Sequence, residues 1–147
     1  MDFVYDDGGR SNYFKAKHVG DCVCRAIAIA TGKDYKEVYD DLNRLAKAER
    51  TGKRKRGKST ARNGVYTRTA KKLLEEEYGW EWHPTMGIGT GCKVHVREDE
   101  LPYGRLILNL SRHFTAVIDG ELHDTYDCSR GGTRCVYGYW TREVRNG

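Results

Sequence analysis

An α+β domain is what the sequence predicts, on three observations. Apolar stripes of helical period occupy the first half of the chain, strict alternation occupies much of the second, and turn dipeptides punctuate the alternating stretches. A polypeptide of 147 residues needs only one core. The expectation is therefore a single domain over residues 1–147, with N-terminal helices packed on a C-terminal antiparallel sheet.

The elements follow in order. Residues 1–20 are polar and glycine-containing, and read as an arm or a short edge strand. A first helix starts with Asp21 as N-cap and carries Val23, Ala26, Ile27 and Ala30 on one stripe, with Gly32 as its stop. Asp34 opens a second helix, with Glu37 three residues on and Tyr35, Val38, Leu42 and Leu45 inward. The segment 50–62, "RTGKRKRGKSTAR", has no apolar anchor and reads as a basic loop. A third helix spans about Val65 to Tyr78 and ends at Gly79. Then "WEWH", "RLILNLS", "RHFTAVI", "ELHDTYD" and "CVYGYW" read as strands. Asp119-Gly120 joins the third and fourth of these as a tight hairpin.

Charge is unevenly placed. The net charge is +5, but 50–62 alone contains seven Lys/Arg and no acid, which leaves 5 − 7 = −2 for all other residues. No apolar run approaches the ~20 residues that span a bilayer, and "MDFVYDDGGR" has no basic-then-apolar signal pattern. A cytoplasmic protein without membrane contact is expected. Cys22, Cys24, Cys92, Cys128 and Cys135 are then expected to be reduced, and their odd number and irregular spacing speak against a disulfide framework.

The chemistry concentrates on Cys22. A thiol at a helix N-terminus meets unpaired backbone N–H groups and the positive end of the helix dipole, which favour thiolate. The same N–H groups face an oxyanion as a carbonyl is attacked. Asp21 opposes this by raising the thiol pKa, unless its carboxylate turns back to cap the helix. Cys24 lies about 200° further round the helix and reads as a core residue. The C-x-C spacing also differs from the C-x-x-C of redox pairs.

A nucleophile needs a base. Across Asp119-Gly120, 118 faces 121, so by extension 115 faces 124 and 113 faces 126. His113 and Asp124 then emerge on one face as diagonal neighbours, while His123 points to the other. Asp127 is the reserve for the third member. A base with an orienting carboxylate beside it is what a nucleophilic thiol requires.

"GDCVCRAIAIATGKDYKEVYDDL" together with "SRHFTAVIDGELHDTYDCSRGGTRCVYGY" resembles the papain-like cysteine peptidase superfamily, and within it small peptidases encoded in bacteriophage and prophage genomes. The resemblance covers most of the sequence from Gly20 onward. It implies a papain-like fold, Cys22 as nucleophile, His113 as general base and acid, Asp124 as orienting acid, and a peptide or protein substrate. The family usually places a glutamine a few residues before the cysteine as oxyanion donor. "NYFKAKHVGD" has none, so Asn12, His18 or a backbone N–H would serve.

The expected function is thus thiol hydrolysis of an amide by a Cys22–His113–Asp124 triad, with no cofactor and no metal. A deamidase or transglutaminase-type acyl transferase with the same triad is one alternative. The other is a non-catalytic phage accessory protein that binds nucleic acid through residues 50–62. No pair of cysteines has zinc-knuckle spacing. The glycine-rich "MGIGTGC" lacks the Gly-Lys-Ser/Thr of a phosphate loop and is expected near the active cleft, with "SRGGTR" on its other side.

Overall fold

A computed structural model describes residues 1–15, 19–50 and 57–142. Strand β1 (Asp2–Tyr5) is followed by a short 3-10 turn at Arg10–Asn12 and helices α1 (Cys22–Thr31) and α2 (Tyr35–Ala46). Helix α3 (Thr67–Lys72) runs on into a wider π turn at Leu73–Glu77. Strands β2 (Trp80–Pro84), β3 (Arg105–Leu110), β4 (His113–Ile118), β5 (Glu121–Asp124) and β6 (Gly138–Arg142) complete the order. The mixed α+β class is as expected, and the stops at Gly32 and after Tyr78 fall where the glycines stand.

The six strands form one sheet in the order β1-β5-β4-β3-β6-β2. All neighbours are antiparallel except β1 and β5, which pair in parallel from Asp2↔Glu121 to Tyr5↔Asp124. The sheet is therefore mixed and not purely antiparallel. A parallel edge partner carries no turn signature, so sequence periodicity has no means of showing it.

The β4–β5 hairpin has the expected register, with Ile118↔Glu121, Val117↔Leu122 and Ala116↔His123. Asp119 and Gly120 both adopt positive φ (49° and 78°), as a two-residue turn matched to strand twist requires.

The sheet is buried on both faces. One cluster joins α1 and α2 to Ile107, Phe114, Ala116 and Trp140. The other gathers Leu106, Leu108, Leu110, Val117 and Leu122 under Val96, Cys128 and Val136 from the connecting loops. This second cover explains why β3 and β4 read as near-continuous apolar runs.

The expectation of five reduced thiols fails for two of them. Cys92 and Cys135 form a disulfide across 43 residues, while Cys22, Cys24 and Cys128 are free. The two bridged Cα atoms stand 5.8 Å apart beside an isolated bridge between His95 and Cys135. Topology creates that proximity, and linear spacing carries no trace of it. Closing a loop of this length stabilises a fold by about 4 kcal/mol in the chain-entropy account. Strand β6 begins at Gly138 and not at the start of "CVYGYW".

Residues 51–56 of the basic run lie outside the described residues. Its C-terminal end is anchored, contrary to expectation. Ala61 is buried and donates its N–H to Asn43 Oδ1 at 2.9 Å, and the Ser59 N–H bonds Glu49. Among the described residues, no helix is long and apolar enough to cross a membrane.

Candidate active site

Cys22 is the first residue of α1 and is half-buried against the start of β4. Asp21 occupies the N-cap position but makes no capping bond with its side chain. The first intrahelical bond runs from the Arg25 N–H to the Asp21 carbonyl. The N–H groups of the first turn thus have no acceptor within the helix and no side-chain cap. They are available to a developing oxyanion at Cys22.

The Asp21 carboxylate is instead sequestered. It is fully buried, and accepts from Arg10 Nη1 at 3.2 Å, from Arg25 Nη1, and from the Tyr35 hydroxyl at 2.7 Å. Two guanidinium groups hold its charge, which offsets its tendency to suppress the thiolate.

His113 heads β4 and is buried. Its Nε2 bonds Asp124 Oδ2 at 2.7 Å, which leaves Nδ1 as the ring nitrogen free for Cys22. Asp124 closes β5 and is held by several partners. Oδ2 also accepts from the Thr115 hydroxyl at 2.7 Å, and Oδ1 accepts from the Thr125 N–H at 2.6 Å and Arg25 Nη2 at 3.3 Å. The reserve acid Asp127 is elsewhere: its carboxylate accepts from the N–H and hydroxyl of Ser129. Period-two alternation across a tight turn is thus enough to bring His113 and Asp124 together.

These contacts shift the titrating groups in opposing directions. Burial raises the Cys22 thiol, but hydrogen bonding from His113 and the Phe114 backbone, with the charges of His113 and Arg25, brings it below its ordinary value. Burial pushes the His113 imidazolium down, yet its bonds to Asp124, Cys128 and Cys22 outweigh that and raise it to about 11. Burial likewise opposes the Asp124 carboxylate, but His113, Thr115 and the Thr125 N–H lower it to about 2. The combination favours a thiolate–imidazolium pair backed by an ionised carboxylate. Cys24 contrasts with this. It is fully buried, its Sγ faces the Tyr35 carbonyl at 3.7 Å, and burial pushes its pKa up.

Two cavities border the thiol, and His113 lines both. One opens between Arg10, Gly20, Thr125 and Tyr126; the other lies between Asn63, Gly64 and Asn109. A Cβ on Gly20 would stand 2.8 Å from the Asn63 carbonyl oxygen, so the residue there must be glycine for the two segments to meet. The Tyr126 ring lies 5.3 Å from the imidazole, centroid to centroid.

Of the oxyanion donors expected, Asn12 lies on the 3-10 turn and lines neither cavity, and His18 lies outside the described residues. Asn63 and Asn109 line the second cavity together with Cys22. Neither "MGIGTGC" nor "SRGGTR" contributes to these cavities. Cys92 of the first is held by the disulfide, and Gly132 of the second packs on Arg97.

Sequence reasoning missed Arg25, which joins Asp21 and Asp124 and lies buried. Its signal was legible: one charge inside "CVCRAIAIAT", four residues after Asp21, has to be paired to be buried there. Cys128 was also missed as a neighbour of the pair, with its Sγ 3.6 Å from Asp124 Oδ2. Donor atoms of His113, Asp124 and Cys128 lie within 4.8 Å of one another, a set of three that a metal ion could use. Arg25 and the Thr115 hydroxyl already engage the Asp124 carboxylate, so the set fits a hydrogen-bonded pair better than an ion cage.

No protein-family model, no curated protein and no solved structure matches this sequence.

Proposed function

We propose that the protein is a papain-like thiol hydrolase, a cysteine peptidase or isopeptidase, with Cys22 as nucleophile, His113 as acid and base, and Asp124 as orienting acid. One observation carries the reading. The ring that bonds Asp124 at 2.7 Å also contacts the thiol, and that thiol sits on a helix N-terminus without a side-chain cap. The likeness to small phage-encoded peptidases supports it and suggests action inside a bacterial cell.

In this reading Cys22 thiolate attacks the carbonyl carbon of an amide, and N–H groups of the first turn of α1 hold the oxyanion. His113 Nδ1–H gives its proton to the leaving amine as the C–N bond breaks, leaving a thioester. Water then loses a proton to His113 and attacks the thioester carbon, and the Cys22 sulfur departs with the acid released. Arg25 holds both carboxylates in place through its two ion pairs. A deamidase or acyl transferase would share every step but the identity of the leaving amine or of the second acceptor, and product analysis separates these.

Alkylation tests the nucleophile. With iodoacetamide at neutral pH, Cys22 is expected to react at least about ten times faster than Cys24 or Cys128, and His113→Ala to remove that advantage. Mass mapping of the modified thiols gives the answer. Equal rates at Cys22 and the buried thiols would overturn the proposal.

The nucleic-acid reading keeps one supporting observation. Arg50, Arg68 and Lys72 border a cavity of about 470 Å³ beside the basic run. Binding to DNA or RNA that weakens steeply with salt would favour it.

A further inference from the structure

Arg112 stands immediately before His113, in the two-residue turn between β3 and β4, and adopts a left-handed backbone with φ of 54°. A non-glycine residue rarely holds this conformation, and it persists only where the surroundings impose it. Here the imposition is visible. Buried Arg134 donates from Nη2 to the Ser111 carbonyl at 2.7 Å, which pins the turn from beneath.

The strained residue lies at the rim of the thiol. Arg112 borders both cavities that flank Cys22, and its side chain is exposed. Among the described residues, none that lines either cavity is acidic. Arg10 and Arg25 are committed to Asp21 and Asp124 through ion pairs. Arg112 forms no hydrogen bond or ion pair among the described residues. The cleft therefore has one uncompensated arginine on its rim, in the turn that leads directly into His113.

Building on the thiol-hydrolase reading above, we infer that Arg112 is a specificity residue that binds a carboxylate of the substrate beside the scissile carbonyl. A planar guanidinium matches a carboxylate with two parallel N–H bonds. The Tyr126 hydroxyl belongs to a residue bordering the same cavity and offers a further donor. The carboxylate comes either from an acidic side chain or from the C-terminus of a polypeptide, and both present the same group.

The test needs no known substrate. Cys22 alkylation by iodoacetate, an anion, is compared with that by neutral iodoacetamide, and the ratio of the two rates is read for wild type, Arg112→Gln and Arg112→Lys. The expected result is a fall in the ratio of about 5-fold in R112Q, largely restored in R112K, with the difference narrowing as salt screens it. N-chloroacetyl-aspartate amide against its asparagine counterpart reports the side-chain source. N-chloroacetyl-glycine against its amide reports the C-terminal one. A ratio unchanged in R112Q overturns the inference while leaving the nucleophile intact. Slow alkylation of Cys22 by every reagent overturns both.

Discussion

At the N-terminus of α1 the buried charges are matched: Asp21 by Arg10 and Arg25, Asp124 by Arg25 and His113. At the α2–α3 corner Arg50, Arg68 and Lys72 line an open cavity. The first arrangement is costly to desolvate and tolerates one geometry only. The second costs little and specifies little beyond a positive field. The proposed chemistry needs an arrangement of the first kind, whereas the second offers attraction of anions.

The widest gap between the corners should appear on deletion. Asp124→Ala strands Arg25 and His113 in the interior and is expected to destabilise the fold by about 3–5 kcal/mol. Urea unfolding measures this, and a loss below about 1 kcal/mol would mean that the buried network is not held as described. Asp124→Asn keeps the shape and should cost less, while still slowing alkylation of Cys22.

An acid titration should show the next largest effect. The Asp124 carboxylate titrates at about 2 in the fold against 3.8 as its ordinary value. A depressed carboxylate contributes stability that is complete above the ordinary value and is lost as pH falls through the folded one. Between about pH 4 and pH 2 the fold should therefore lose about 2 kcal/mol, and D124N should lack that portion. His113 has the opposite sign: its raised pKa gives stability that is full below 6.5 and lost as pH climbs toward about 11. Its displacement exceeds that of Asp124 because Cys22 and Cys128 also bond the ring, so the share due to the ion pair is the smaller one seen at Asp124.

The smallest effect belongs to the open corner. Arg68→Gln with Lys72→Gln should change stability by less than about 0.5 kcal/mol, as substitutions of exposed charges do. Thermal unfolding checks this, and a larger loss would show that the corner is structurally committed after all.

The parts of the site legible in the sequence are those set by short-range periodicity. Helix phase separates Cys22 from Cys24, and the Asp119-Gly120 turn carries the β4–β5 register from Ile118↔Glu121 far enough to align His113 with Asp124. What escaped was set by topology. The parallel docking of β1, the Cys92–Cys135 bridge and the loop cover over β3 and β4 join segments whose proximity no local pattern encodes. Arg25 falls between these cases. Its burial was predictable from its place in an apolar run, but its second partner, Asp124, was visible only in three dimensions.

That second partner has a consequence for biosynthesis. Arg25 joins carboxylates at positions 21 and 124, which are 124 − 21 = 103 residues apart. During synthesis α1 can form early, and its local Asp21–Arg25 pair with it, but Cys22 then lacks both His113 and Asp124. The chemistry proposed for it requires the β4–β5 hairpin to have emerged and docked, a long-range closure that folds late. On the hydrolase reading, the nascent polypeptide meets no activated thiol before that closure.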